Sequence, residues 1–242
     1  NGIITKLLGL ERGIYGMWGI ILGSVLYSLP VAYLMFSDIL KYNSTEFYKE
    51  YSMLEVLFIN ACVRQESRTL DLAQHLVKKI NGNIKKVDLY DVKPSPLDIK
   101  GMEKRLKAAE SGDFSDDEFN LAKQFASADV IVIAAPYWDL MFPAVLRTYF
   151  EEVCVAGLTF RYSEKGAPVG LCNAKQVYYV TTAGGFIGDN NFGFDYVKTL
   201  SQQLFGIDRV QCISAEGLDI NPANVTEVLE KAKEKINDIY EQ

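Results

Sequence analysis

Ala128-Asp129-Val130-Ile131-Val132-Ile133-Ala134-Ala135-Pro136-Tyr137-Trp138-Asp139 is the stretch on which the fold turns. From Val130 to Ala135 polar residues never alternate with apolar ones. A short apolar run stopped by Pro136 reads as a strand buried on both faces of a parallel sheet. From Ala144 to Val155 the apolar residues take helical spacing, so the strand passes through an aromatic loop into a helix. Ligands of open α/β sheets sit outside the carboxyl ends of the strands. Two aromatics and a carboxylate at that place suit a flat polar ring.

The neighbouring sequence repeats this plan. A strand over 54–59 leads through a loop into a helix over 67–80, where Leu70, Ala73, Leu76, Val77 and Ile80 form one apolar face. A short strand at 84–89 and a proline-containing loop at 91–99 precede helical stretches at 103–109 and 116–126. The acidic run 113–118 is a helix start, capped and solvated. Further strands are expected at 176–181 and 210–214, with helices at 195–205 and 222–240. Five strands alternating with helices call for an α/β, doubly wound parallel sheet with right-handed crossovers. The matching strand order is the flavodoxin-like 2-1-3-4-5.

Composition narrows the function. The 242 residues carry a net charge of −6, which offers no basic stripe for nucleic acid. Four cysteines are scattered without metal-ligand rhythm, and the thiols are expected reduced and buried. A single histidine, His75, removes triad chemistry and histidine-based metal chemistry. His75 lies inside the first helix and reads as structural or solvent-facing. Whatever is catalysed here leans on a cofactor.

The first segment has another character. Residues 13–36 hold no charge and match the length of a bilayer-spanning helix, with Tyr15, Trp18 and Tyr33 toward its ends. Tyr15-Gly16-Met17-Trp18-Gly19-Ile20-Ile21-Leu22-Gly23 resembles a piece of a transporter permease, and the alternative is a hydrophobic extension helix. Met53, directly ahead of the first strand, marks the expected start of a domain at 53–242, with 1–52 joined to it. The chain opens on Asn1, so a fragment of a longer protein is expected.

Three loops follow the carboxyl ends of the first, third and fourth strands of the sheet. The first holds Asn60 and Arg64 and ends in Ser67-Arg68-Thr69 at a helix N-terminus, where hydroxyls, free N–H groups and an arginine suit a phosphate. No G-x-G-x-x-G follows the first strand, so a mononucleotide fits better than a dinucleotide. Pro136, Tyr137, Trp138, Asp139 and Leu140 offer ring faces and backbone groups. Thr182, Ala183, Gly184 and Gly185 present backbone donors suited to the N1/O2 edge of a reduced flavin. Together the loops outline a site for flavin mononucleotide (FMN).

Ile131 to Trp138, the segment Ala156-Gly157-Leu158-Thr159-Phe160-Arg161-Tyr162-Ser163-Glu164-Lys165-Gly166, then Thr181 to Gly185 and Ala215-Glu216-Gly217 carry a resemblance. They are similar to the FMN-dependent NADH-azoreductase and NAD(P)H:quinone oxidoreductase family over about Met53 to Gln242. The resemblance implies a flavodoxin-like cytoplasmic enzyme with FMN at a homodimer interface. It also implies NADH or NADPH as donor, a quinone or azo acceptor, and a ping-pong cycle. Ser67, Arg68 and Thr69 fall at that family's phosphate loop, residues 136–140 at its P-M-Y-N-F-like loop, and 182–185 at its S-R-G-G-like loop. Tyr162 would lie near the acceptor. Asp139 stands where the family commonly has Asn, Trp138 replaces a Tyr and Ala183 an Arg, which bears on substrate preference. The competing readings are a flavodoxin-like electron carrier and a membrane-anchored fusion with a transporter fragment.

Overall fold

The computed structural model describes residues 53–240. The hydrophobic helix expected at 13–36 lies outside them, and among the described residues no helix is long and apolar enough to cross a membrane.

The strands are β1 (Leu54–Asn60), β2 (Gly82–Asp88), β3 (Val130–Ala134), β4 (Phe160–Tyr162), β5 (Pro168–Gly170), β6 (Gln176–Thr182) and β7 (Arg209–Ala215). Five of them form one parallel sheet in the order β2-β1-β3-β6-β7. Counting only those five, this is the expected 2-1-3-4-5. β4 and β5 pair antiparallel outside it, and the sequence reading had no strands there. Two strands of three residues, mostly exposed, carry too little apolar alternation to be read.

The helices are α1 (Arg68–Lys79), α2 (Leu89–Val92), α3 (Ile99–Ser111), α4 (Asn120–Ser127), α5 (Ala144–Val153), α6 (Phe192–Leu200) and α7 (Val225–Tyr240). Caps account for the differences from expectation. The Asp98 carboxylate accepts the Gly101 N–H at 2.8 Å, so α3 starts ahead of Glu103. Asn191 accepts the Phe194 N–H at 3.0 Å, which starts α6 ahead of Asp195. Beyond Leu200 the helix widens into a π turn, Ser201–Phe205. The acidic run behaves as read: Asp116 caps the short turn Asp117–Phe119 by accepting the Glu118 N–H at 2.9 Å.

The central strands are apolar without alternation because each face of the sheet is covered. Leu57, Ile59, Ile131, Ile133 and Tyr179 pack against Phe125, Tyr149, Phe150 and Phe205 from α4, α5 and the π turn. Their neighbours in the strands, Val56, Phe58, Val132 and Val180, pack against Leu72, Leu76, Ala232 and Ile236 from α1 and α7. Each such Val, Leu, Ile or Phe side chain contributes about 1.5–3 kcal/mol by leaving water. α1 is tied to α7 by the Asp71–Lys233 ion pair at 3.0 Å and by His75 with Asn237 at 3.1 Å. His75 is thus a packing residue. At the outer edge β2 exposes Asn83, Ile84, Lys85 and Lys86, with Lys85 paired to Glu55 and Lys86 to Asp88.

The segment Gly157-Leu158-Thr159-Phe160 fastens the end of α5. The buried Thr159 hydroxyl donates to the Val153 carbonyl at 2.7 Å and accepts the Val155 N–H at 3.0 Å. Gly157, at φ 87°, donates its N–H to the Phe160 carbonyl at 2.7 Å. Residues that carry part of the resemblance therefore shape a turn.

Candidate active site

At the carboxyl ends of β1, β3 and β6 the three loops enclose a cleft of about 200 Å³. Arg64, Ser67, Arg68 and Thr69 line it from the first loop, Pro136, Tyr137 and Trp138 from the second, and Thr182, Ala183 and Gly184 from the third. These are ten of the expected residues, brought together by crossovers that sequence distance conceals.

At the first loop Ser67 caps α1: its hydroxyl accepts the Leu70 N–H at 3.4 Å and its carbonyl the Asp71 N–H at 3.0 Å. The Arg68 and Thr69 N–H groups have no acceptor among the described residues. They are the free donors at the positive end of a helix dipole, aimed where a phosphate would be held. Arg64 lines the cleft without an ion pair or hydrogen bond among the described residues. Arg68 is engaged elsewhere, donating to the Leu218 carbonyl at 3.1 Å and to Asp219 at 2.8 Å.

The Thr69 side chain turns inward, and its hydroxyl meets that of Thr182 at 2.6 Å in the interior. Thr69 thus offers the cleft its N–H, while its hydroxyl joins α1 to the end of β6. Thr69→Val is expected to destabilise the fold by about 1–3 kcal/mol, because the Thr182 hydroxyl stays buried without a partner. Adding Thr182→Val should recover part of that loss in urea denaturation. A double variant that loses the sum of two single losses would show the pair to be uncoupled.

Asn60 does not line the cleft. It is 2% exposed, its Oδ1 accepts the Cys62 N–H at 3.0 Å and its Nδ2 donates to Asp88 at 2.7 Å. It shapes the loop from beneath. Cys62 does line the cleft, and burial pushes its thiol up to about 11, so it stays protonated and is no nucleophile at neutral pH.

The second loop hugs β6: the Tyr137 N–H donates to the Thr182 carbonyl at 3.0 Å and the Tyr137 hydroxyl to the Asn190 carbonyl at 2.9 Å. Trp138 and Met141 exchange N–H···O bonds at 2.9 and 2.8 Å across a turn with Asp139 at φ 52° and Leu140 at φ 66°. Two central residues with positive φ make a type I′ turn, which Asp tolerates and Leu adopts under strain. Asp139 and Leu140 therefore do not face the cleft as expected; they form the tip of its wall. Their N–H groups have no acceptor among the described residues.

In the third loop the Ala183 N–H is taken by the Ala215 carbonyl at 3.0 Å, so not every amide there is free as expected. Gly185 lies just beyond the lining. Besides Cys62, three residues that the sequence reading did not name as ligands border the cleft: Val63, Glu66 and Asp219. The first two sit in a loop already identified. Asp219 follows β7, and only the sheet order, with β7 beside β6, brings it here. Tyr162 stands on β4, 62% exposed and edge-on to Phe160, outside the lining of the cleft.

A doubly wound parallel sheet with a cleft built from these three loops defines a flavodoxin-like protein. Residues 54–239 match the family model described as flavodoxin-like fold. The chain is 36% identical over 200 residues to FMN-dependent NADH:quinone oxidoreductase 2 of Clostridium acetobutylicum, across 76% of this chain and 98% of the relative. It is 32% identical over 192 residues to the protein of the same name from Clostridium perfringens, across 76% of this chain and 96% of that one. Among solved structures, an azoreductase from Bacillus anthracis superposes with a TM-score of 0.68 at 24% identity, covering 78% of this chain and 99% of its own. The chain belongs to the flavodoxin-like fold family, in its FMN-dependent NADH:quinone oxidoreductase group.

Proposed function

We propose that this protein is an FMN-dependent oxidoreductase that moves two electrons from NADH or NADPH to a quinone, an azo compound or a related acceptor. The observation that carries the reading is the set of unpartnered donors at one rim. The Arg68 and Thr69 amides with the Arg64 guanidinium suit a phosphate, and the third loop's amides suit the polar edge of a ring. FMN, when bound, supplies the two-electron chemistry. The chain binds, orients and dries the slot. Tyr137 and Trp138 form an aromatic wall, and the Asp139 and Leu140 N–H groups sit at its tip. Hydride transfer needs no side-chain base, which agrees with a cleft lined by no histidine. One open slot serving donor and acceptor in turn makes a ping-pong order part of this reading.

A homodimer belongs to the reading too, supported by apolar exposure beside the cleft: Phe186 is 78% exposed, Leu140 52% and Trp138 42%. So does a cytoplasmic catalytic domain starting at Met53, supported by a family match that begins at residue 54. Residues 1–52, with the uncharged run 13–36, precede it as a hydrophobic segment outside the described residues.

Adding FMN to the purified protein should give a bound yellow chromophore that NADH bleaches anaerobically and a quinone restores. Bound flavin that no nicotinamide bleaches would favour the electron carrier, and protein that takes up no FMN at micromolar concentration would end the reading. Arg64→Gln should weaken FMN binding about tenfold, the scale of one charge-assisted hydrogen bond. Binding of riboflavin, which lacks the phosphate, should stay unchanged. Equal losses for both ligands would place Arg64 away from the phosphate.

A further inference from the structure

The structure assigns Arg68 and Asp219 a joint positioning role: they strap the loop after β7 against the loop after β6 and so hold a row of amides open toward the cleft. This rests on the FMN reading above and deepens it. The Gly217, Leu218 and Asp219 N–H groups donate to the carbonyls of Gly185, Ala183 and Gly184 at 2.9, 3.2 and 2.9 Å. In a trans peptide the N–H points opposite to the carbonyl of the same unit, and no cis bond occurs among the described residues. With those three carbonyls turned toward the β7 loop, the amides of Gly184, Gly185 and Phe186 face the other way. That way lies β3, since β6 stands between β3 and β7. None of the three amides has an acceptor among the described residues.

The strap closes from the other side. Arg68 donates one Nη to the Leu218 carbonyl at 3.1 Å and the other to Asp219 at 2.8 Å, which joins α1 to the β7 loop. The Asp219 carboxylate lies against Gly184, where any Cβ would run into it. Glycine at 184 is therefore what allows Asp219 to reach Arg68. Glu216 holds the far end by accepting the Ile187 N–H at 2.9 Å and the Ser214 hydroxyl at 3.0 Å. Asp219 is 67% exposed in its side chain, and an ion pair that wet adds little to global stability. Its effect is on local geometry, where donors set in place cost nothing to reorient when charge develops beside them. Arg68, read from sequence as a phosphate ligand, is thereby a positioning residue, and Arg64 is the cation left for the phosphate.

Two effects of opposite sign make the test decisive. Removing a carboxylate beside the ring should by itself ease reduction, whereas loosening the amide row should hinder it. The full chain with FMN bound, carrying Asp219→Ala, is expected to show a more negative two-electron midpoint potential in spectroelectrochemical titration. Reduced FMN should be held about tenfold more weakly relative to oxidised, which converts to about 30 mV. Asp219→Asn, whose Oδ1 still accepts from Arg68 while the charge is gone, should show a potential equal to or more positive than the unsubstituted value. An unchanged or more positive potential in Asp219→Ala overturns the assignment. Hydrogen exchange of the Gly217, Leu218 and Asp219 amides needs no flavin. It should be about tenfold faster in Asp219→Ala than in Asp219→Asn, and equal rates also overturn it. A colourless unsubstituted protein would sink the FMN reading alone, so the two failures are told apart.

Discussion

Gly170→Ala is expected to cost about 3 kcal/mol of stability, the upper range for forcing a methyl into filled space. Gly170 ends β5, and a Cβ there would run into the backbone of Phe205 and Gly206. Backbone cannot rotate away as a side chain can, so either the β4–β5 hairpin or the π turn must move. Phe205 is 1% exposed and its ring lies 4.7 Å from that of Phe125, so moving the turn disturbs the core layer. Gly206, at φ 73°, leaves the turn little freedom to adjust. For a domain of this size the loss corresponds to a melting temperature lower by about 10 °C. Gly185→Ala is the control: nothing lies within 4 Å of its Cβ and its backbone is not left-handed, so the melt should barely shift. Equal melts for both variants would show that the hairpin does not press on the π turn.

The second large effect is alkaline unfolding. Burial pushes Cys62 and Cys154 up to about 11 and Cys172 and Cys212 up to about 12, from an ordinary value of 9.0. Tyr149 and Tyr179 are also pushed up by burial. A thiol raised in the folded state contributes stability that is fully present below pH 9 and is lost as pH rises toward the folded value. Above pH 9 the unfolded chain releases protons that the folded chain keeps, so the slope of stability with pH is negative. Each thiol withdraws about 1.4 kcal/mol per pH unit in that window. Four together withdraw several kcal/mol per unit, a large share of a typical total of about 5–15 kcal/mol. The urea midpoint should hold steady from pH 7 to about 8.5 and fall steeply between about 9 and 11. Cys212→Ala should flatten the fall. A midpoint independent of pH up to 11 would mean that the thiols ionise in place.

Where apolar residues run without alternation, as in Val130–Ala134 and from Val177 to Val180, the fold was legible because burial on both faces leaves no other pattern. The phosphate end was legible for the same kind of reason, since Ser67 in front of an amphipathic helix is a local signal. What escaped depends on partners far along the chain. The β4–β5 hairpin is fixed by Thr159 under α5 and by Phe205 against Gly170, neither of which has a signature in its own segment. Asn60 looked like a ligand beside a strand end, yet Asp88 on β2 and the Cys62 amide claim its side chain. Asp219 was missed because its neighbour Gly184 and its partner Arg68 belong to different crossovers. Arg64 and Arg68, four positions apart, were alternatives for the phosphate cation, and only the path of the β7 loop separates their duties.

The lysines on β2 have one more consequence. An open sheet margin is a template on which another molecule can add a strand, and here the exposed Lys85 and Lys86, each paired to a carboxylate, set solvated charges on both faces of the margin. A strand added there would have to strip water from these charged side chains, so polymerising growth through this border is discouraged. Self-association of the folded domain is thereby steered toward contacts between side chains on other surfaces, where it can close instead of propagating.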